Sequence, residues 1–182
     1  MTSTIDRGKI VSTLAFALRH DPTRFGLELD DAGWACLEDL LIALRFDRYD
    51  WAYVDDALLN SVVEESDRFE IRDGRIRATY GHSIELGTLP PVTVPSAVLF
   101  HGTTEEALPA IRQEGLKPIG RRFVHLTSVR EYARQVADAR QSRAVILVRA
   151  ADAHASGHVF RRANGHVWLT GYVEATFLTI ES

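Results

Sequence analysis

The stretch RFEIRDGRIRATY, residues 68–80, decides the fold of the first half of the chain. Alternating side chains flank Asp73-Gly74, a strong two-residue hairpin signal because both positions tolerate positive φ. Arg75 and Arg77 stand two apart on the outgoing strand, so they point to one face. Working back, Trp51 opens a helical pattern over residues 51–65, with Tyr53, Val54, Ala57, Leu58 and Val62 on one side. A second helix is predicted over 37–44. LELDDAGW, residues 27–34, reads as a short extended piece with a turn at Asp31-Ala-Gly33. Ile5, Ile10, Val11, Leu14, Ala15 and Leu18 recur at helical spacing, and Asp21-Pro22 ends that first helix. Three helices followed by a hairpin is the order of a winged helix.

Working forward, LGTLPPVTVPS, residues 86–96, holds three of the six prolines and no charge. Proline favours extended backbone and lacks a donor, so this segment reads as a linker or crossing strand. The expected organisation is therefore a lobe over 1–85, a linker over 86–96 and a lobe over 97–182. Beyond the linker, AVLFHGT, RFVHLTS, AVILVRA and ATFLTI read as strands. EEALPAIRQEG, closing at Gly115, and VREYARQVADAR read as helices, and HVFRRANGHVWLT as a hairpin around Asn164-Gly165. Many short strands with two helices suggest an α+β fold.

At 182 residues, 46% hydrophobic and 25% charged, the chain can bury one or two small cores. Cys36 is the single cysteine, which rules out an internal disulfide and fits a reducing compartment. No run approaches the ~18–20 apolar residues of a membrane span, and the N-terminus has no signal-like apolar core. A cytoplasmic protein with no membrane partner is expected. The net charge of −4 hides a split: residues 28–73 carry 14 acids against 4 arginines, while residues 117–162 carry 10 basic residues against 3 acids. Of 21 cations, 19 are arginine, whose planar fork suits phosphate, although genome composition gives the same bias.

Four stretches could carry chemistry, and each has a bland reading. Arg19-His20 could be half of a site, or cations complementing a helix C-terminus. Arg75 to Ser83 could meet a phosphate backbone, or be a solvated strand face followed by a turn. His101-Gly102-Thr103 offers glycine for close approach and two directional hydrogen-bonding side chains, or merely a satisfied turn. Residues 115–127, with Gly120, Arg121, Arg122 and His125, could read a phosphate, or form a charged loop. The seven histidines show no ligand spacing, so no metal site is expected. A phosphate-binding Gly-rich loop with lysine, a dinucleotide fingerprint and a nucleophile elbow are all missing from the sequence.

Taken in order, LRHDP, GLELDDAGW, IRATYGHS, FHGT, GLKPIGRRFVHL and VWLT resemble the RNA 2′-phosphotransferase family over nearly the whole chain. The resemblance implies a winged-helix RNA-binding lobe and an ADP-ribosyltransferase-like lobe, with NAD held in a cleft between them. It implies a two-step reaction. An internal RNA 2′-phosphate attacks the NAD ribose and expels nicotinamide. The neighbouring ribose hydroxyl then attacks phosphorus, leaving 2′-hydroxyl RNA and ADP-ribose 1″,2″-cyclic phosphate. The family's catalytic Arg-His-Arg-Arg set falls on Arg19, His20, Arg77 and Arg121. The His-His-Val triad of the transferase fold falls on His101, His125 and Val173. Gly102, Thr103, Gly120 and Ser128 join His101 and His125 as the implied NAD contacts, and Arg140 is a further candidate at the phosphate or NAD end. The implied partners are NAD, consumed as co-substrate, and an RNA with an internal 2′-phosphate, tRNA among the candidates, acted on by a monomer. Thr79, Tyr80 and Phe123 depart from the family pattern, and none of them is one of the four catalytic positions.

Two other readings stand beside this one. The same fold could modify terminal nucleic-acid phosphates and stop after one transfer. A non-enzymatic winged-helix DNA binder would instead need a cationic recognition helix. The candidate helix carries Asp55, Asp56, Glu64 and Glu65 and no cation, which argues against it.

Overall fold

A computed structural model describes residues 6–48, 51–139 and 144–181. Ile5 and Arg140 lie outside the described residues. The chain divides into two compact units, Met1–Leu89 and Pro90–Ser182. Each contains one antiparallel sheet and helices, an α+β arrangement. Among the described residues, no helix is long and apolar enough to cross a membrane.

In the first unit, α1 (Arg7–Arg19) starts where the Asp6 side chain accepts from the Lys9 N–H. Strand β1 (Ala35–Cys36) leads directly into α2 (Leu37–Asp47), and α3 spans Asp56–Glu64. The hairpin forms as expected, β2 (Phe69–Arg72) and β3 (Arg75–Ala78), with positive φ at Asp73 (51°) and Gly74 (69°). Strand order is β1-β3-β2. Ile10, Leu14, Leu18, Leu40, Leu44 and Ile76 are fully buried where the helices meet the inner sheet face.

Two expectations are corrected here. The third helix does not begin at Trp51. Asp55 caps it by accepting from the Leu58 N–H, while Trp51 is buried in the preceding turn, and the buried helical face is Leu59 and Val62, with Ala57 exposed. The extended piece expected over 27–34 forms no strand: Asp30 draws the chain into a turn by accepting from the Ala32 and Trp34 N–H groups, and the strand begins only after it, at Ala35–Cys36.

In the second unit, the chain runs β4 (Leu99–Thr103), α4 (Leu108–Glu114), β5 (Val124–Thr127), α5 (Arg130–Asp138), β6 (Ala144–Val148), α6 (Ala150–Ala155), β7 (Phe160–Arg162), β8 (Val167–Thr170) and β9 (Leu178–Glu181). The strands lie in the order β7-β8-β5-β4-β6-β9. Helix α6 was not expected; its six alanine-rich residues carry too little periodicity to register. Residues 90–93 are bound to this unit: the Arg161 Nη1 donates to the Pro90 carbonyl, the Arg162 N–H to Pro91, and the Thr93 N–H to Phe160.

Candidate active site

Arg19 is the last residue of α1 and is 5% exposed. Its guanidinium carbon lies 5.4 Å from the Phe69 ring centre and 5.0 Å from that of Tyr80, and Nη2 donates to the Arg68 carbonyl at 3.2 Å. Gly81, at φ +89°, lies alongside, where an added Cβ would come within 3.2 Å of Nη1. A buried cation packed between two rings gains from the ring quadrupoles and is locked in direction. The bland helix-end reading of Arg19 is therefore incomplete, because a solvated dipole-complementing cation needs no such housing.

His20 caps α1 and turns its Nδ1 to the Ser83 Oγ at 2.9 Å. The Ser83 hydroxyl donates in turn to the Arg19 carbonyl at 3.4 Å, so it accepts from Nδ1–H, and the neutral ring then presents Nε2 as a base. Arg77 projects from β3, where Nε and Nη2 donate to the same Glu70 Oε2 at 2.9 and 2.7 Å. The Trp34 ring centre lies 4.6 Å from its guanidinium carbon.

All three side chains lie within electrostatic reach of His82. Its Nε2 is buried with no hydrogen-bond partner among the described residues. Burial, reinforced by the charges of Arg19 and Arg77 and by His20 when it is protonated, depresses its pKa to about 4, so it stays neutral beside the arginines. Two arginines, one of them paired with Glu70, and a histidine thus lie near one neutral imidazole. The hairpin strand and the Gly81-His82-Ser83 turn, left open on sequence, are thus neighbours of one another around Arg19.

In the second unit, β4 and β5 pair only at Phe100↔Thr127 among the described residues. The His101 ring spans the two strands beyond that point: Nδ1 donates to the His125 carbonyl at 2.8 Å, which makes Nε2 the acceptor of the neutral ring. Thr103 is buried at 4% exposure, and His125 is partly buried on β5. Gly102 is explained by packing, since a Cβ there would stand 2.1 Å from the Ala133 carbonyl of α5. Arg121 is exposed in the bend before β5, following Gly120 at φ +64°, and Ser128 is exposed just after β5. Val173 is fully buried and bridges to Leu116. No group of three or more His, Cys, Asp or Glu side chains among the described residues is placed to hold a metal ion.

Glu70 and Trp34 escaped the sequence reading. Glu70 was recoverable, because a turn at 73–74 puts residue 70 opposite residue 77. Trp34 was not, because its place depends on the pairing of β1 with β3.

Comparison with known proteins identifies the lineage. Residues 6–172 match the family described as RNA 2′-phosphotransferase, Tpt1/KptA family. The chain belongs to this family. Among its relatives, a probable RNA 2′-phosphotransferase of Acetivibrio thermocellus is 38% identical over 180 residues, covering 97% of this chain and 98% of the relative. One from Streptomyces coelicolor is 40% identical over 173 residues, 93% of each chain. One from Pyrobaculum aerophilum is 41% identical over 169 residues, covering 92% of this chain and 78% of the relative. The resemblance of the ordered motifs is thereby established at the level of the family.

Proposed function

We propose that this RNA 2′-phosphotransferase family member removes an internal 2′-phosphate from RNA in an NAD-dependent, two-step reaction. The products are 2′-hydroxyl RNA, ADP-ribose 1″,2″-cyclic phosphate and nicotinamide. The observation that carries the reading is Arg19, packed against the Phe69 and Tyr80 rings, beside the Gly81-His82-Ser83 turn whose Ser83 holds the neighbouring His20. The order α1-β1-α2-α3-β2-β3 supports a winged-helix lobe, and the sheet that narrows to one paired position between β4 and β5 supports an ADP-ribosyltransferase-like lobe.

NAD, when bound, supplies the electrophilic ribose carbon and the nicotinamide leaving group. The second unit's residues fit a ribose: His101 Nε2 accepts from a sugar hydroxyl, and the buried Thr103 offers a hydroxyl beside it. His125, Gly120 and Ser128 complete the proposed contacts. The 2′-phosphate is already an anion, so orientation matters more than a strong base. Arg19 and Arg77 donate to phosphate oxygens and stabilise charge building on phosphorus, each donor contributing about 2.7–4 kcal/mol, and the family resemblance gives Arg121 the same role. His20 takes up a proton at Nε2, its ring held by Ser83.

The test is mass spectrometry of a short RNA bearing one internal 2′-phosphate, incubated with and without NAD. Phosphate loss only with NAD, accompanied by ADP-ribose cyclic phosphate, is expected. RNA that gains ADP-ribose and keeps it establishes the one-transfer alternative instead, and no change in either tube overturns the reading. Arg121→Ala and His20→Ala are expected to fold and to block phosphate removal; full activity in either removes that residue from the site.

A further inference from the structure

The outer face of the first unit's sheet carries an arrangement that folding alone does not account for. The hairpin register sets Glu70 opposite Arg77 and Arg72 opposite Arg75. Ile71 and Ile76 point to the core side, so the four charged residues share the outer face. Arg72 and Arg75 are like charges directly across an antiparallel pair, an arrangement that destabilises a sheet.

Trp34 supplies the platform. The guanidinium carbons of Arg77, Arg72 and Arg75 lie 4.6, 5.2 and 5.8 Å from its ring centre, and the indole is only 6% exposed beneath them. Asp30 pairs with Arg75 at 2.5 Å and Glu70 with Arg77 at 2.7 Å. Arg72 has only a 3.9 Å approach to Asp73, with side chains 66% and 89% exposed. Exposed pairs of this kind hold their partners weakly and give them up to a stronger anion. The arginine planes are pre-organised by stacking while their outward edges face solvent.

We propose that Arg72 and Arg75, seated on Trp34, form a second phosphate station that binds the RNA backbone beside the phosphorylated nucleotide. The inference rests on the proposed RNA substrate and extends it. Arg75 lies two residues, roughly 7 Å, along β3 from Arg77. An RNA strand whose 2′-phosphate is held at Arg77 therefore brings a flanking phosphodiester to Arg75 and Arg72. The station reads backbone charge and carries no base specificity. An acidic peptide is the competing occupant, and the RNA family membership favours nucleic acid.

The experiment compares wild type with the Arg72→Gln/Arg75→Gln double variant, which retains part of the side-chain stems on Trp34. Lys9→Gln/Arg134→Gln, with the same loss of charge elsewhere, is the control. Binding of a single-stranded RNA lacking the 2′-phosphate is followed by fluorescence anisotropy across a NaCl series. Turnover is measured on a 2′-phosphorylated dinucleotide and on a longer 2′-phosphorylated RNA. The double variant is expected to bind RNA roughly tenfold more weakly, with a salt slope shallower by about 1.4. It is also expected to keep dinucleotide turnover and lose the advantage of the longer RNA, while the control keeps both. Unchanged RNA affinity and salt slope in the double variant overturn the station. If wild type turns over neither substrate, yet the arginines still set RNA affinity, the function falls and the station stands.

Discussion

Arg77 donates through both Nε and Nη2 to a single Glu70 carboxylate oxygen, across the β2–β3 hairpin at the third pair from its turn, and against the Trp34 ring. A guanidinium held on two sides keeps its remaining edge in a fixed direction. In the proposed function, Glu70 occupies the electrostatic place that a phosphate would take, which would make the pair both a brace and a competitor.

Glu70→Gln separates these roles. Both partners are about one-third exposed, so stability is expected to fall by less than about 1 kcal/mol. Misdirecting Arg77 is expected to lower kcat by roughly tenfold to a hundredfold. Steady-state kinetics beside urea unfolding checks this, and an unchanged kcat would remove Glu70 as a positioning residue.

The housing of Arg19 is tested from two sides. Gly81→Ala places a Cβ 3.2 Å from Arg19 Nη1 at a φ of +89°. It is expected to cost about 1–2 kcal/mol and to lower activity. Tyr80→Leu keeps much of the volume but removes the π face, worth about 0.5–2 kcal/mol. Activity is expected to fall in both, and a Tyr80→Leu enzyme with wild-type kcat would show that the ring only fills space.

His82 gives the protein an acid sensitivity of definite sign. The unfolded chain takes up a proton near pH 6.5, whereas the folded chain refuses it until about 4. Stability is therefore full above pH 6.5, falls as the pH drops, and loses at most about 3 kcal/mol by pH 4. Urea midpoints of wild type and His82→Gln across that window check this. The variant should show a flatter dependence, and identical slopes would refute it.

Gly102 is predicted to be a packing residue whatever it offers a ligand. Gly102→Ala drives a Cβ to 2.1 Å from the Ala133 carbonyl and 3.1 Å from the Ala137 nitrogen, both backbone atoms of α5. A loss of about 1–3 kcal/mol or more is expected. Gly165→Ala, with nothing within 4 Å, should change stability by less than about 0.5 kcal/mol. Thermal unfolding of the two variants decides it.

The sequence determined what short-range physics decides. Asp73-Gly74 sets the hairpin and its register, Asp21-Pro22 lets α1 end at Arg19, and apolar periodicity marks α1 and α2 closely. It also placed Arg19, His20 and Arg77 as candidates, through motif order. It misplaced the start of α3, because a capping aspartate competes with an apolar run that belongs partly to a turn. Only the tertiary structure decided that Phe69 and Tyr80 enclose Arg19, that Trp34 carries three arginines, that His82 stays neutral, and that Gly102 admits α5. Those facts depend on which distant segments pack together. Local residue order fixes backbone conformation and facing, whereas burial and electrostatic environment arise when separate elements share one volume.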